Sequence, residues 1–160
     1  MSIVSDSGPI LSFARADHLD LLREVVRALI IPEAVYEDIV IQGAGKPGAG
    51  EVQQATWIRC ERVQDRSLVN QLPSKLHLGE REALALAKER GCMLLIDEYE
   101  ARKEALRQNI KHFGSLRVLK EAKDRGIIQE IKPVLDAFIA SGTYISSSLY
   151  SAFLREVDEA

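Results

Sequence analysis

Cysteine is scarce in this chain. Of 160 residues only Cys60 and Cys92 are cysteines, far apart and in no metal-ligand spacing. That excludes a disulfide scaffold and a cysteine-held zinc centre, and it fits a reducing compartment, so a cytoplasmic location is expected. Long apolar runs are absent as well. None approaches the ~18 residues a membrane span needs, and Met1-Ser2-Ile3-Val4-Ser5-Asp6 is too short and polar for a signal peptide. No membrane association is expected. Positive charge is not in surplus: the formal net charge is −3. A polyanion would have to meet a local basic patch or a bound cation, since the global field repels it. Aromatic residues make up 6%, which leaves few rings to stack on bases. There is no internal repeat. Apolar content of 46% and charged content of 28% are ordinary for a globular chain, and the length suits one domain over residues 1–160 with a full core.

The most informative stretch is Leu78 to Glu98, LGEREALALAKERGCMLLIDE. Glu80 and Glu82 fall in a first helical turn, where the helix dipole favours negative charge. Ala83, Leu84, Leu86 and Ala87 supply an apolar stripe, and Gly91 is a C-terminal stop. Cys92 to Ile96 has the length of a buried parallel strand, with Asp97 at its end. At roughly 100° per residue, Glu80 lies between Leu84 and Ala87, inside the apolar arc, and Glu82 lies at its edge. A buried charge without a partner is costly. A structural role at the helix N-terminus and a functional role both remain open for these acids.

Along the chain, Ile3 and Val4 mark a first strand that stops at Asp6. Ser7-Gly8-Pro9 turns into a helix with Pro9 at its first position, and Asp17 is a candidate cap for a second helix. Ala28 to Ile31 reads as the next strand, so the crossover should be parallel and right-handed. Pro32 to Ile41 reads as a helix with Asp38 flanking its inner face and Glu37 nearly opposite. The run Gly43 to Gly50 superficially resembles a phosphate loop, but it lacks the GxxxxGK[ST] order and no apolar strand precedes it; a flexible surface loop is expected. A short helix over 51–56, a strand within Trp57 to Val63 and one helical turn around Leu68 follow. After Asp97 come a helix over 98–108, a short strand over 110–113 and a helix over 116–125. Two amphipathic helices, over 127–139 and 146–157, complete the chain. From Arg102 to Arg125 there are eight Lys or Arg against three Asp or Glu. This is the basic region of an acidic chain, read either as solvated helix faces or as a polyanion contact.

Alternating strands and helices point to an α/β fold with a mainly parallel sheet of about four to five strands. Ligands of such sheets bind beyond the carboxyl ends of the strands. Asp6 and Asp97 fall at strand ends, and Asp38, Glu80 and Glu82 on helices at that edge. Converging carboxylates call for a hard divalent cation, Mg²⁺ or Mn²⁺. No histidine is expected beside these acids in the fold, so zinc is not expected.

The ordered set Ile3-Val4-Ser5-Asp6-Ser7-Gly8-Pro9-Ile10, Ile30 to Ile39, Leu78 to Ala83, Leu94 to Glu98 and Gly114-Ser115-Leu116 resembles the PIN-domain nucleases, and more closely the prokaryotic PIN-like group designated DUF3368. The resemblance spans essentially the whole chain. It implies a three-layer α/β/α fold with extra C-terminal helices, about 127–158, packed on the domain or on a second subunit. It implies metal-dependent ribonuclease chemistry, often as the toxin of a toxin–antitoxin pair, with RNA, a small antitoxin protein and a second copy as partners. Its catalytic and metal-holding acids map to Asp6, Asp38, Glu80 and Asp97, with Glu82 completing an E-x-E. At the second acid this chain departs from the commoner Glu, and Glu37 is the other candidate. Ser7 and Ser115 are candidate supporting hydroxyls. Arg102, Lys103, Arg107 and Lys111 are the candidate RNA contacts. The reading from another class is a catalytically silent PIN-like module that binds a partner protein or RNA. A haloacid-dehalogenase-like phosphotransferase is weaker: it wants Asp-x-Asp after the first strand, and Gly8 stands where the second Asp belongs.

Overall fold

Five short strands pair in parallel in the order β3-β2-β1-β4-β5. They are β1 (Ile3–Ser5), β2 (Leu29–Pro32), β3 (Ile58–Glu61), β4 (Met93–Leu95) and β5 (His112–Phe113). The computed structural model describes residues 2–160. β1 lies in the middle: Val4 is opposite Ile30 on one side, and Ile3 to Ser5 run opposite Met93 to Leu95 on the other. The chain therefore builds outward through β2 and β3, then returns to the far side of β1. The gap between β1 and β4 is the switch point where such sheets hold ligands.

Successive strand residues point to opposite faces, and both faces are covered. Val4, Ile30, Leu94 and Ile96 pack with Val69, Leu84 and Ala101 from α5 (Arg66–Gln71), α6 (Leu78–Arg90) and α7 (Tyr99–Arg107). Leu29, Ile31 and Leu95 pack on the other face with residues of α1 (Ser7–Arg15), α2 (Leu19–Val26), α8 (Ser115–Asp124), α9 (Lys132–Ala140) and α10 (Ser147–Glu156). This is the three-layer α/β/α arrangement that the resemblance implies, on the parallel sheet that the strand–helix alternation pointed to. The C-terminal helices belong to the core: Phe138 of α9 meets Phe13 of α1 edge-on, with ring centroids 4.9 Å apart. No helix among the described residues is long and apolar enough to cross a membrane.

Several boundaries differ from the sequence reading, each for a local reason. α1 opens at Ser7, so Pro9 sits in its first turn rather than at its first position, still where the missing N–H has no intrahelical role. Asp17 adopts φ 60° and lies between α1 and α2, and His18 takes the cap position. The segment 33–41 is not one regular helix. A single α-turn, α3 (Glu33–Tyr36), runs into a π-helical turn, Glu37–Ile41, closed by Gln42 N–H donating to Glu37 O over 2.9 Å. α4 (Ala49–Gln54) starts earlier than expected: Gly48, at φ 100°, is its N-cap, and the Gly48 N–H donates to Glu51 Oε2 at 3.3 Å. α9 starts at Lys132, not at 127, because Pro133 tolerates only a first turn.

Candidate active site

Asp6 follows β1 at the N-cap position of α1. Asp is a favoured cap residue, yet its side chain makes no cap bond. It is 7% exposed and faces the start of α6. There Gly79 leaves an opening: a Cβ on Gly79 would lie 2.8 Å from Asp38 Oδ2 and 3.7 Å from Asp6 Oδ1. The two carboxylates thus converge over the one residue of that helix turn with no side chain. The π-turn presents Asp38 to this point, and the Ser7 hydroxyl reaches its Oδ2 at 3.4 Å. Glu37 also lines the recess, of about 550 Å³, with Asp6, Asp38 and Glu80. Glu80, 6% exposed, accepts the His77 backbone N–H through Oε1 at 2.7 Å. It is therefore both a cap for its own helix and a member of the acidic group.

The charge is concentrated enough to shift titration. Burial pushes the Asp6 carboxyl up to about 7; the Ser7 backbone N–H opposes this, and the charges of Glu80, Asp38 and Asp97 add to it. Burial also raises Glu80, against its bond from His77, and the nearby charges of Glu98 and Asp38 push the same way. Asp97, at the end of β4, is fixed by α8. Its Oδ1 accepts the Ser115 N–H at 2.7 Å and its Oδ2 the Ser115 hydroxyl at 2.5 Å. A second opening lies here: a Cβ on Gly114 would meet Asp97 Oδ1 at 2.7 Å and Arg102 Nη1 at 2.9 Å. Gly114 is extended, at φ −116°, so glycine serves space and not backbone conformation.

Among the described residues, none of Asp6, Asp38, Glu80 and Asp97 forms an ion pair with Lys or Arg. Carboxylates at a sheet's carboxyl edge with no protein cation are a donor set for a hard divalent ion. The profile of the DUF3368 family of PIN domains matches residues 2–159.

The chain belongs to that family.

PIN domains are generally nucleases and usually use divalent metals. Among solved structures, a PilT N-terminus domain protein from the hyperthermophilic archaeon Sulfolobus solfataricus P2 is similar in fold, with a TM-score of 0.53 and 11% identity over 91% of this chain and 98% of that one. No curated protein matches this PIN domain.

Within the PIN domain, Glu82 parts company with the other acids. Its Oε1 accepts the Ala34 N–H at 3.0 Å and its Oε2 pairs with Arg66 Nη1 at 2.8 Å. Both oxygens have protein partners, Ala34 and Arg66, so the structure does not bring Glu82 into the group formed by Asp6, Asp38 and Glu80. The histidine inference also changes, because His77 stands on the rim of the recess that holds Asp6, Asp38 and Glu80. As the side chains stand, no three His, Cys, Asp or Glu groups among the described residues are close enough to enclose an ion. The opening over Gly79, where only carboxylates and Val35 stand nearest, nevertheless suits one, whereas Arg102 Nη1 stands beside Asp97 at Gly114. Asp6 and Asp38 would hold it, with Glu80 and Asp97 flanking.

Of the four candidate RNA contacts, the fold brings only Arg102 to the acids. Lys103 lies over the Tyr99 ring and beside Glu100. Arg107 pairs with the buried Glu104 at 3.0 Å. Lys111 shares a recess with Lys88 and Met93 at the amino ends of β4 and β5, the opposite edge of the sheet. Adjacent residues on a helix point to different faces; Arg102 and Lys103 diverge for that reason. The basic side chains that do line a groove with Asp97 are Arg102, Arg117 and Lys120. The i, i+3 spacing of Arg117 and Lys120 on one helix was the signal for that pair.

Proposed function

We propose that this PIN domain is a metal-dependent endoribonuclease that cleaves single-stranded RNA, and that it is the toxin of a prokaryotic toxin–antitoxin pair. The observation that carries the nuclease reading is the convergence of Asp6 and Asp38 over Gly79, with no protein cation to balance them. A divalent ion bound there supplies a lowered pKa for coordinated water and charge neutralisation at the phosphodiester. The chain's own contributions are distinct. Asp6 and Asp38 would hold the ion, Glu80 and Asp97 would flank it, and Ser115 keeps Asp97 in one rotamer through two hydrogen bonds. Ser7 keeps Asp38 turned inward. The toxin role, an antitoxin partner and a homodimer follow the family resemblance.

Titration of Mg²⁺ or Mn²⁺ by calorimetry should give a site of roughly micromolar to millimolar affinity, and Asp6→Asn with Asp97→Asn should abolish it. Cleavage of single-stranded RNA should require the metal, stop with EDTA and fall by at least ~100-fold in Asp97→Asn. Activity that survives Asp97→Asn points to a contaminating nuclease. The second reading, a silent PIN-like module binding a protein or RNA, draws on the loose spacing of the carboxylates. It predicts neither metal binding nor cleavage.

A further inference from the structure

A groove of about 570 Å³ begins at Asp97 and Gly114 and runs between α8 and α10. One wall is cationic. Arg117 and Lys120 lie on the same face of α8, three residues apart, and Arg102 stands at the acidic end. Neither Arg102 nor Arg117 has a carboxylate partner among the described residues, and Lys120 shares only the surface Asp124, at 2.9 Å. Glu156 is the one acid besides Asp97 that lines the groove. The other wall carries Tyr144, 88% exposed, the largest exposure among the bulky apolar side chains. Its ring contributes little to the core, but its backbone is fixed. Thr143 Oγ1 donates to Ser12 Oγ at 2.9 Å, and Thr143 N–H donates to Phe138 O at 2.9 Å. The aromatic face is thus free in solvent and mounted on an anchored turn.

We propose that this groove is the path of the single strand that reaches the carboxylates, with Arg117 and Lys120 on its phosphates and Tyr144 as the stacking surface for one base. The proposal rests on the nuclease reading for its substrate class and adds the strand's route and the residues that hold it. A guanidinium with no carboxylate partner, beside an ammonium held only by a surface Asp124, recognises phosphate, and an exposed ring beside them recognises the face of any base. A hydrophobic protein segment would leave those charges unmatched. The sequence reading expected little stacking because aromatics are few; one well-placed ring is enough for one base.

The test is fluorescence anisotropy of the full chain with a 5′-labelled single-stranded RNA of about a dozen nucleotides, within the site sizes of such grooves. EDTA is present, so binding is measured without cleavage. Arg117→Ala with Lys120→Ala should weaken binding at least ~10-fold at low salt and reduce the salt slope by about 1.4, two contacts at ~0.7 each. Tyr144→Ala should weaken binding ~5-fold or more with the slope unchanged, and Tyr144→Phe should bind as wild type. Lys88→Ala, at the opposite edge of the sheet, should also bind as wild type. All substituted groups lie at the surface, so folding is retained. An unchanged Kd in the double variant or in Tyr144→Ala overturns the proposal and leaves the groove to a protein segment. An equal loss in Lys88→Ala, or no RNA binding by wild type, overturns it as well. Metal-dependent cleavage by wild type is scored separately. Cleavage with an unaffected groove variant sinks the route and keeps the nuclease; groove-dependent binding without cleavage does the reverse.

Discussion

Burial and the neighbouring carboxylates make the ionised form of Asp6 costly. Its folded pKa of about 7 lies above the ordinary carboxyl value, so the native state binds the extra proton. Stability from this group is present at low pH and is lost as pH rises through about 7. In chelator, the protein should be more stable at pH 5.5 than at 7.5 by about 2 kcal/mol from Asp6 alone. Asp6→Asn should raise the melting temperature at pH 7.5 and flatten the profile, while removing the shift that Mn²⁺ gives by binding the folded state. Thermal melts at the two pH values, with and without Mn²⁺, check this. Glu82 should behave oppositely. Glu82→Ala strips partners from Arg66 and the Ala34 N–H, so it should cost about 2 kcal/mol of stability and leave the Mn²⁺ shift intact. At this scale much was legible: strand ends located Asp6 and Asp97, and helix periodicity put Glu80 inside. What separated Glu82 from Glu80 was Arg66, sixteen residues earlier, and no local pattern announces such a pairing. His77, by contrast, reaches the rim as the N-cap of α6, three residues before Glu80, and that proximity was on view in the sequence.

At the scale of elements, the acidic edge depends on a close approach between α6 and the π-turn. Gly79→Ala places a methyl 2.8 Å from Asp38 Oδ2. Alanine is the better helix former, by up to ~1 kcal/mol, and Asp38 is on the exposed side, so the fold should be kept or slightly stabilised. Metal affinity should nevertheless fall at least ~10-fold, the size seen when a ligand's surroundings are disturbed. Calorimetric titration beside a thermal melt separates the two effects. The strands and most helices could be read from apolar runs and glycine stops. The π-turn could not, since its i→i+5 bond has no signature in hydrophobic period, and such turns gather at functional sites. The basic residues misled for a related reason. Counting charge along 102–125 found the right region, but a helix distributes neighbours over all its faces, and only α8 presents two cations to the groove.

At the scale of the whole molecule, the C-terminal helices are tied down by one carboxylate. Glu159 accepts the backbone N–H groups of Ile131 and Lys132 at the start of α9, and it pairs with Lys123 of α8 at 2.9 Å. Glu159→Ala should lower stability by about 2 kcal/mol, read as a lower denaturant midpoint with no change in metal binding. The sheet order has a further outcome. Asp6 and Asp97 become neighbours only when β1 pairs with β4, ninety residues later in the chain, and Asp97 is held only once Ser115 exists. Non-local pairing of this kind is slow and late. On the ribosome, Asp6 and Asp38 therefore emerge well before Glu80 and Asp97, and a polypeptide interrupted anywhere before Ser115 carries an incomplete centre. Translation itself would delay whatever the finished centre does until Ser115 of the 160 residues has been made.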